Sequence, residues 1–128
     1  MLSGIEIFDG VQRREAHLTT DESVELIRNL ARCVENGLTH CVVEVSSQAL
    51  KYGRVAGIEF DTCSFTNIGY DHISPQEHPD FADYFNAKLR IIEQTKDFIY
   101  SAAMEHVSEV IAKSESEKFG HTQFHFPE

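Results

Sequence analysis

Carboxylate and imidazole side chains occur close to two strand-like stretches of the sequence, where they could bind a metal ion. The apolar run CVVEV includes Glu44 near its end, and the run CSFT is followed by Asn67, Asp71 and His72. A carboxylate inside an apolar strand is costly unless it is paired or binds a metal. Glu44, Asp71 and His72 together could hold a hard cation, most plausibly Mg²⁺, which takes few protein ligands and keeps several waters. Two alternatives stay open: Glu44 could pair with Arg54, and His72 could be a surface loop histidine.

Lys88 lies in the middle of the apolar face of a predicted helix, FADYFNAKLRII. At about 100° per residue, aromatic and aliphatic side chains stand on both sides of it. A lysine in such a place usually packs its stem and keeps its ammonium group in water. The alternative is a desolvated amine, because burial favours the neutral form. A neutral amine can react with CO₂ to give a carbamate, and this anion could approach a metal held by Glu44 and His72.

The elements that must position these side chains alternate between helix and strand. GIEIFDG predicts a short strand or hairpin arm, and residues 39–47 and 60–67 predict two further strands, the first covered on both faces. Helices are predicted over residues 17–37 and 80–94, followed by a strand in DFIYSA, a helix in MEHVSEVIAKS and an edge strand in FGHTQFHF. This alternation predicts an α/β fold with a mostly parallel sheet flanked by helices. In such sheets ligands bind beyond the carboxyl ends of the strands, which is where the polar residues collect.

The predicted helix at residues 17–37 has identifiable ends and an apolar face. Thr19 or Thr20 can cap it, and Thr19 with Glu22 fits a capping box. Gly37 is expected to end it in the left-handed region. The predicted buried stripe consists of Val24, Ile27, Leu30, Ala31 and Val34. The later helix is expected to begin near Pro79 or Asp80.

Composition and charge exclude several classes of protein. The chain has 128 residues, of which 41% are hydrophobic and 25% charged, as in a single soluble globular domain. No apolar run approaches the ~20 residues that span a bilayer, and no secretory signal is present, so we expect a cytoplasmic protein. The net charge of −10 without a basic stripe argues against nucleic acid and against a membrane surface as partners. Cys33, Cys41 and Cys63 have no CxxC spacing and are expected to be buried thiols.

Three motifs occur in an order that resembles the central domain of the Mur ligase family. They are EVSS, TNI-x-x-DH and YF-x-x-K, and the resemblance extends from about Leu18 to His106. It implies a P-loop-type ATPase domain from a ligase that adds the third amino acid to UDP-N-acetylmuramoyl-L-alanyl-D-glutamate. In such ligases ATP phosphorylates the dipeptide carboxylate, and the amine of the incoming amino acid attacks the acyl phosphate. Gln48, the DHISPQEHP loop and SAAMEH favour the lysine-adding type of Gram-positive bacteria over the diaminopimelate-adding type.

The resemblance also implies roles for individual residues. Glu44 and His72 would be magnesium ligands, and Lys88 would be the carbamylated lysine that supports a second magnesium ion. Asn67 would lie near the nucleotide and the metal. The residues that would contact the UDP-sugar peptide are Thr19, Thr20, Ser46, Ser47 and Arg54.

The sequence lacks one motif that the family needs, a Gly-rich phosphate loop ending in Gly-Lys-Thr or Gly-Lys-Ser. We therefore expect residues 1–128 to form a single partial domain, without the UDP-binding N-terminal domain and the C-terminal domain, and inactive by itself. A different hypothesis is a non-catalytic fragment that binds a partner chain or self-associates through an open sheet edge. A third keeps the ligase chemistry with another substrate, as in folylpolyglutamate or poly-glutamate synthetases.

Overall fold

A computed structural model describes residues 1–116 and 120–124, with side chains up to residue 115. The chain divides into two compact units, Met1–Ala56 (unit 1) and Gly57–Glu128 (unit 2). Unit 1 contains strands β1 (Glu6–Phe8) and β2 (Arg13–Glu15) and helices α1 (Ser23–Glu35) and α2 (Ser47–Lys51). Unit 2 contains, in chain order, β3 (Phe60–Phe65), α3 (Phe81–Leu89), a 3₁₀ turn (Arg90–Gln94), β4 (Thr95–Ser101), α4 (Val107–Ser116) and β5 (Gly120–Phe124). Among the described residues, no helix combines the length and apolar composition that a membrane span requires.

Strands β1 and β2 form an antiparallel hairpin, which confirms the hairpin arm predicted from GIEIFDG. Its turn is held by Asp9, whose Oδ1 accepts hydrogen bonds from the N–H groups of Val11 (3.0 Å) and Gln12 (2.8 Å). Gly10 has a φ of 103°, a conformation that residues with a side chain rarely adopt. The aspartate and the glycine together therefore define the turn.

Helix α1 ends as predicted but begins differently. Gly37 has a φ of 78°, and the N–H groups of Gly37 and Leu38 donate to the carbonyls of Val34 and Cys33, each over 2.9 Å. This is the Schellman arrangement, which satisfies carbonyls at a helix end. The predicted cap by Thr19 or Thr20 was wrong: the N-cap is Glu22, with no side-chain capping bond. Thr20 cannot serve there because its hydroxyl is hydrogen-bonded to the backbone of a distant segment.

The predicted buried stripe of α1 was also wrong. Val24, Ile27 and Val34 are 64%, 53% and 74% exposed. Ala31 is exposed as well, and Leu30 is half-buried. The buried side chains are instead Leu26, Asn29 and Cys33. The helix has apolar residues on more than one face, and the face that is buried is the one whose asparagine amide finds hydrogen-bond partners.

Residues 39–47 do not form the predicted strand that is covered on both faces. They make a single parallel bridge, between Val43 and Leu2, with two backbone hydrogen bonds of 2.8 Å on either side of it. Val42 is 70% exposed. A strand needs a neighbour along its whole length, and Leu2 alone supplies one among the described residues. The segment is therefore extended but is not part of a sheet.

Unit 2 contains the parallel sheet, which confirms the predicted α/β class. Its strands lie in the order β3-β4-β5, and both pairs are parallel, with Phe65 opposite Tyr100 and Asp97 opposite Gly120. Helix α3 connects β3 to β4, and α4 connects β4 to β5. Strand β5 lies at the edge, as FGHTQFHF predicted; Phe119 and residues 125–128 lie outside the described residues.

The core of unit 2 forms around β4. Phe98 is fully buried, and its ring lies 6.2 Å from that of Phe65 and 6.0 Å from that of Tyr100. Helix α3 begins after Asp80 as predicted, because the Asp80 carboxylate accepts a 2.8 Å hydrogen bond from the Asp83 N–H. The predicted helix over 80–94 continues past Leu89 as a 3₁₀ turn, which buries Ile91 and Ile92.

Candidate functional site

In unit 1, Thr20 connects the loop before α1 to the extended segment before α2. Its buried hydroxyl donates to the Glu44 carbonyl and accepts from the Ser46 N–H, both over 2.9 Å. Ser46 also caps α2, since its hydroxyl accepts a 3.1 Å hydrogen bond from the Ala49 N–H. Ser47 is buried at the first turn of α2, whereas Thr19 is exposed. The motif TTDES and the motif EVSS thus form one hydrogen-bonded region.

Arg54 reaches the same loop from the turn after α2. Its Nη1 donates to the Thr20 carbonyl over 3.3 Å, and its Nη2 lies 2.9 Å from a Glu22 carboxylate oxygen. The pairing of Arg54 with Glu44 that the sequence left open does not occur. The Nε of Arg54 is buried and has no hydrogen-bond partner among the described residues. Five predicted substrate residues, Thr19, Thr20, Ser46, Ser47 and Arg54, therefore lie in one unit, and one of them has an unused buried donor.

Glu44 is exposed, so the expectation of a carboxylate inside an apolar strand was wrong. Its Oε2 accepts a 2.8 Å hydrogen bond from the Gly4 N–H. The segment around it is extended but not covered by other elements. The carboxylate therefore stays in contact with water, and no free-energy cost of desolvation has to be compensated. Its Oε1 accepts no hydrogen bond from the described residues and is free to bind a cation.

His72, in unit 2, lies between two carboxylates. Its Nδ1 lies 3.2 Å from a Glu77 carboxylate oxygen, and its Nε2 lies 3.6 Å from an Asp71 oxygen. Histidines that bind metals usually donate one ring N–H to a carboxylate, which fixes the tautomer and leaves the other nitrogen free. Donation from Nδ1 to Glu77 would leave the Nε2 lone pair available beside Asp71. His72 also has a φ of 58°, an uncommon value for a residue with a side chain.

The buried ring of Tyr84 brings Lys88 and His72 into one neighbourhood. Lys88 Nζ lies 5.2 Å from the centre of this ring, and the imidazole of His72 lies 5.5 Å from it. Lys88 is half-buried, and its Nζ is also 5.9 Å from the ring of Phe65. It makes no ion pair with a described residue. In its ammonium form the amine would make cation–π contacts with both rings, an account of this lysine that neither sequence-based alternative included.

Asn67 is exposed and lies at an open depression of about 430 Å³ in unit 2. The same depression is bordered by Ile68, Gly69, Tyr70, Asp71, Tyr84 and Glu105. His78 is fully buried, and its Nδ1 lies 2.6 Å from a carboxylate oxygen of Asp83. Sequence reasoning missed Glu77 and Tyr84, the partners that orient His72. Tyr84 belongs to the motif YF-x-x-K but was given no role, and Glu77 lies in an irregular loop, where periodicity gives no signal.

Within the described residues of either unit, no three His, Cys, Asp or Glu side chains converge as a metal site. Asp71 and His72 do lie together, in unit 2, while Glu44 belongs to unit 1. The donor types nonetheless suit Mg²⁺, which binds through one or two carboxylates and keeps its remaining waters. The set Glu44 and His72 stays a prediction.

The fold and these motifs define a domain of an amide-forming ligase family. Residues 1–127 match the Mur ligase middle domain, and the chain belongs to this family. A solved structure of UDP-N-acetylmuramoyl-L-alanyl-D-glutamate--2,6-diaminopimelate ligase superposes with a TM-score of 0.78 over 98% of this chain and 27% of that one, at 18% identity. That likeness confirms the fold.

Other relatives are more similar to this chain in sequence than that ligase is. The chain is 42% identical to a UDP-N-acetylmuramyl-tripeptide synthetase of Lactococcus lactis subsp. cremoris over 113 residues, 88% of this chain and 23% of the relative. It is 46% identical to the synthetase of the same name from Lacticaseibacillus paracasei over 101 residues, 79% of this chain and 20% of the relative. It is 45% identical to the UDP-N-acetylmuramoyl-L-alanyl-D-glutamate--L-lysine ligase of Streptococcus pyogenes over 100 residues, 78% and 21% of the two chains. The chain thus spans less than a quarter of the length of these relatives.

Proposed function

We propose that this chain is part of an ATP-dependent ligase that adds the third amino acid to UDP-N-acetylmuramoyl-L-alanyl-D-glutamate during peptidoglycan synthesis. The observation on which this proposal rests is the 42–46% identity to tripeptide synthetases over the stretch that contains EVSS, TNI-x-x-DH and YF-x-x-K. L-Lysine is the amino acid we favour over diaminopimelate. A relative named for L-lysine is 45% identical, whereas the diaminopimelate ligase of known structure is 18% identical.

The proposed reaction has two steps. The γ-phosphoryl group of ATP is transferred to the dipeptide carboxylate, which releases ADP and gives an acyl phosphate. The amine nitrogen of the amino acid then attacks the acyl carbon, a C–N bond forms, and inorganic phosphate leaves with its oxygen as the amine loses a proton. Positioning and charge neutralisation dominate phosphoryl transfer, and Mg²⁺ supplies the latter when bound.

Individual residues of the chain would support these steps. Glu44, with an unbonded carboxylate oxygen, and His72, whose Nδ1 faces Glu77, are the magnesium ligands we propose. Lys88 as a carbamate would add a further anionic ligand for magnesium. Asn67 would contact the nucleotide, whose phosphate-binding loop does not occur in this sequence.

The UDP-sugar peptide would bind to unit 1. The hydroxyls of Thr19, Ser46 and Ser47 and the guanidinium of Arg54 can donate to phosphate and carboxylate oxygens. Thr20 already donates its one O–H to the Glu44 carbonyl, so it would contact the peptide only as an acceptor. The buried, unpartnered Nε of Arg54 supports this assignment, because buried donors are rarely left unbonded. We place the activity in the cytoplasm and expect no nucleic acid or membrane partner, since a net charge of −10 repels both.

The test is ligation by a full-length enzyme that contains this segment, measured as incorporation of radiolabelled L-lysine into the UDP-linked dipeptide. Lys88→Ala should lower kcat by at least about 100-fold, because a positioned charge at a phosphoryl-transfer site contributes that order of rate. Added bicarbonate should restore little. Lys96→Ala is the matched control, since Lys96 is an exposed lysine paired with Glu59 and Asp61. Unimpaired turnover in Lys88→Ala would remove Lys88 from the site, and absence of ligation by the unmodified enzyme would refute the function.

Exposed apolar side chains in unit 1 favour a second candidate, a non-catalytic chain that self-associates. Val24, Ile27 and Val34 form an exposed row on α1. Light scattering over a concentration series, combined with a Mg-ATP titration of the 128-residue chain, separates the two candidates. Tight Mg-ATP binding by this chain alone would refute the non-catalytic role, and a concentration-dependent dimer without nucleotide binding would support it.

A further inference from the structure

The loop before α1, residues 19–22, is held on one side by groups already assigned to substrate binding. Thr20 is bonded to the backbone of Glu44 and Ser46, and Arg54 contacts both the Thr20 carbonyl and the Glu22 carboxylate. These bonds fix the loop only towards the segment that precedes α2. The other side of the loop is held by a residue with no part in the proposed chemistry.

Asn29 holds that other side. It is polar and yet 0% exposed, whereas apolar residues of the same helix, such as Ile27, are exposed. Its Nδ2 donates a 2.7 Å hydrogen bond to a carboxylate oxygen of Asp21, the residue that follows Thr20. Its Oδ1 accepts from the guanidinium groups of Arg14, on β2, and Arg32, one turn further along α1. Both ends of the amide are therefore used.

The chemistry of these contacts requires a side chain that donates on one side and accepts on the other, as an amide does. Asp21 is an acceptor when ionised, and the two arginines are donors only, so the group between them must donate on one side and accept on the other. Leucine would satisfy neither side, and a buried donor or acceptor left unpaired costs about 1–3 kcal/mol. Aspartate would keep the bonds from the arginines but would place two carboxylates against each other.

We propose that Asn29 is a positioning residue for substrate binding: through Asp21 it fixes the loop that presents Thr19 and Thr20. The proposal rests on the proposed function, in which those threonines contact the UDP-sugar peptide. Asn29 itself touches no substrate. Its effect is to limit the loop to one arrangement, so that the Thr20 hydroxyl stays at the distance that bonds Glu44 and Ser46.

A reciprocal swap tests this proposal. Asn29→Asp converts the donor that faces Asp21 into an acceptor and retains the acceptor that faces the arginines. Asp21→Asn provides a donor at the opposite position. The double variant Asn29→Asp with Asp21→Asn restores one hydrogen bond between the two positions with its direction reversed. It should therefore recover the effect that the single variant Asn29→Asp loses. Asn36→Asp is the matched control, because Asn36 also donates from Nδ2 but to the Asp9 carbonyl, beyond the other end of α1.

Amide hydrogen exchange of Ser46 reports the position of Thr20 directly, since this N–H donates to the Thr20 hydroxyl. Asn29→Asp should raise its exchange rate by about tenfold, the swap should restore it, and Asn36→Asp should leave it unchanged. The N–H of Leu38, bonded to the Cys33 carbonyl, serves as the internal reference on α1. Unchanged Ser46 exchange in Asn29→Asp overturns the proposal. So does an equal rise at Ser46 and Leu38, because Asn29 would then only stabilise the fold.

Steady-state kinetics of the full-length ligase link this arrangement to substrate. Asn29→Asp should raise KM for the UDP-linked dipeptide by about tenfold with little change in kcat, and the swap should recover most of it. Lowered kcat with unchanged KM would overturn the positioning role. If the unmodified enzyme ligates nothing while Ser46 exchange still follows the pattern above, the proposed function fails and the loop arrangement stands.

Discussion

Unit 1 and unit 2 differ in how much of their large apolar side chains they bury and in how regular their sheets are. Unit 2 has a three-stranded parallel sheet with helices in its crossover connections and buries Phe98, Ile92 and Val110 completely. Unit 1 has a two-stranded hairpin, and nine of the ten large hydrophobic side chains that the described residues expose lie in it. Hydrophobic burial depends on area and is tolerant of direction, whereas hydrogen bonds have strict geometry.

The difference explains where the candidate residues lie. The groups that unit 1 buries include the polar side chains of Asn29 and Thr20, each with hydrogen bonds on two sides. Unit 2 also buries a polar side chain, that of His78, which pairs with the partly exposed Asp83 and lies next to the aromatic ring of Tyr84. A site in unit 1 is therefore defined by directional bonds, and a site in unit 2 by side chains that stand against a packed aromatic group.

The largest effect is expected in the core of unit 2. Phe98→Ala should lower the free energy of unfolding by about 3–5 kcal/mol, because it removes a fully buried ring between Phe65 and Tyr100. Phe98→Leu keeps most of the volume and should cost much less. Urea denaturation followed by circular dichroism measures both. A loss under about 1 kcal/mol in the alanine variant would contradict the view that this sheet stabilises unit 2.

Two neighbouring residues of α1 test which face of the helix is buried. Leu26→Ala should cost about 2–5 kcal/mol, since Leu26 is buried, and Ile27→Ala should change stability by no more than about 0.5 kcal/mol, since Ile27 is exposed. The two changes remove the same number of carbon atoms one position apart. Equal costs, measured by the same denaturation, would mean that the face around Ile27 is covered in solution.

Helix caps provide an intermediate effect that can be compared between the units. Ser46→Ala in unit 1 and Asp80→Ala in unit 2 should each cost about 1 kcal/mol, because each removes a hydrogen bond to a helix N–H. Thr19→Ala is the control, since α1 has no side-chain cap. Thermal unfolding should show similar shifts for the first two variants and almost none for the third. A large shift for Thr19→Ala would restore the capping box.

The smallest effect concerns pH and the hairpin of unit 1. Hydrogen bonds from the N–H groups of Gln12 and Val11 lower the pKa of Asp9 in the folded chain. A lowered folded-state pKa means that the carboxylate stabilises the fold at pH values above its ordinary pKa of about 4 and loses this effect as the pH falls through the folded value. Asp9→Asn should therefore be less stable than the unmodified chain at pH 7 and should converge with it towards pH 3. A stability difference that is the same at both pH values would exclude the carboxylate as its source.

Much of unit 2 could be predicted from sequence, because its signals are local. The aspartate that caps α3, the apolar runs of β3 and β4 and the intervening loop appear in the sequence in the order of the structure. The structure of unit 1 was harder to predict from the sequence, for a physical reason. Val42 and Ile27 are as apolar as core residues, but whether they are covered depends on a neighbouring element, which periodicity cannot supply.

For the candidate site, too, one part could be predicted from the sequence and another part could not. Residue type and motif order were enough to name Glu44, His72 and Lys88 as candidates, without a structure. The surroundings of His72 did require it, because Glu77 reaches His72 through loop geometry. Tyr84 lies four residues before Lys88 on α3, a spacing that places the two side chains on one face of the helix. Asn29 was missed altogether, because an asparagine within a helix has no sequence signal that separates a buried amide from a surface one.

The left-handed backbone of His72 has a consequence for laboratory evolution. At a φ of 58° glycine has a lower conformational energy than a residue with a side chain. His72→Gly should therefore relieve backbone strain and make the chain more resistant to heat. A selection for thermostability alone would then discard the imidazole, and the most heat-resistant descendants of this chain would lack the side chain that we propose as a magnesium ligand.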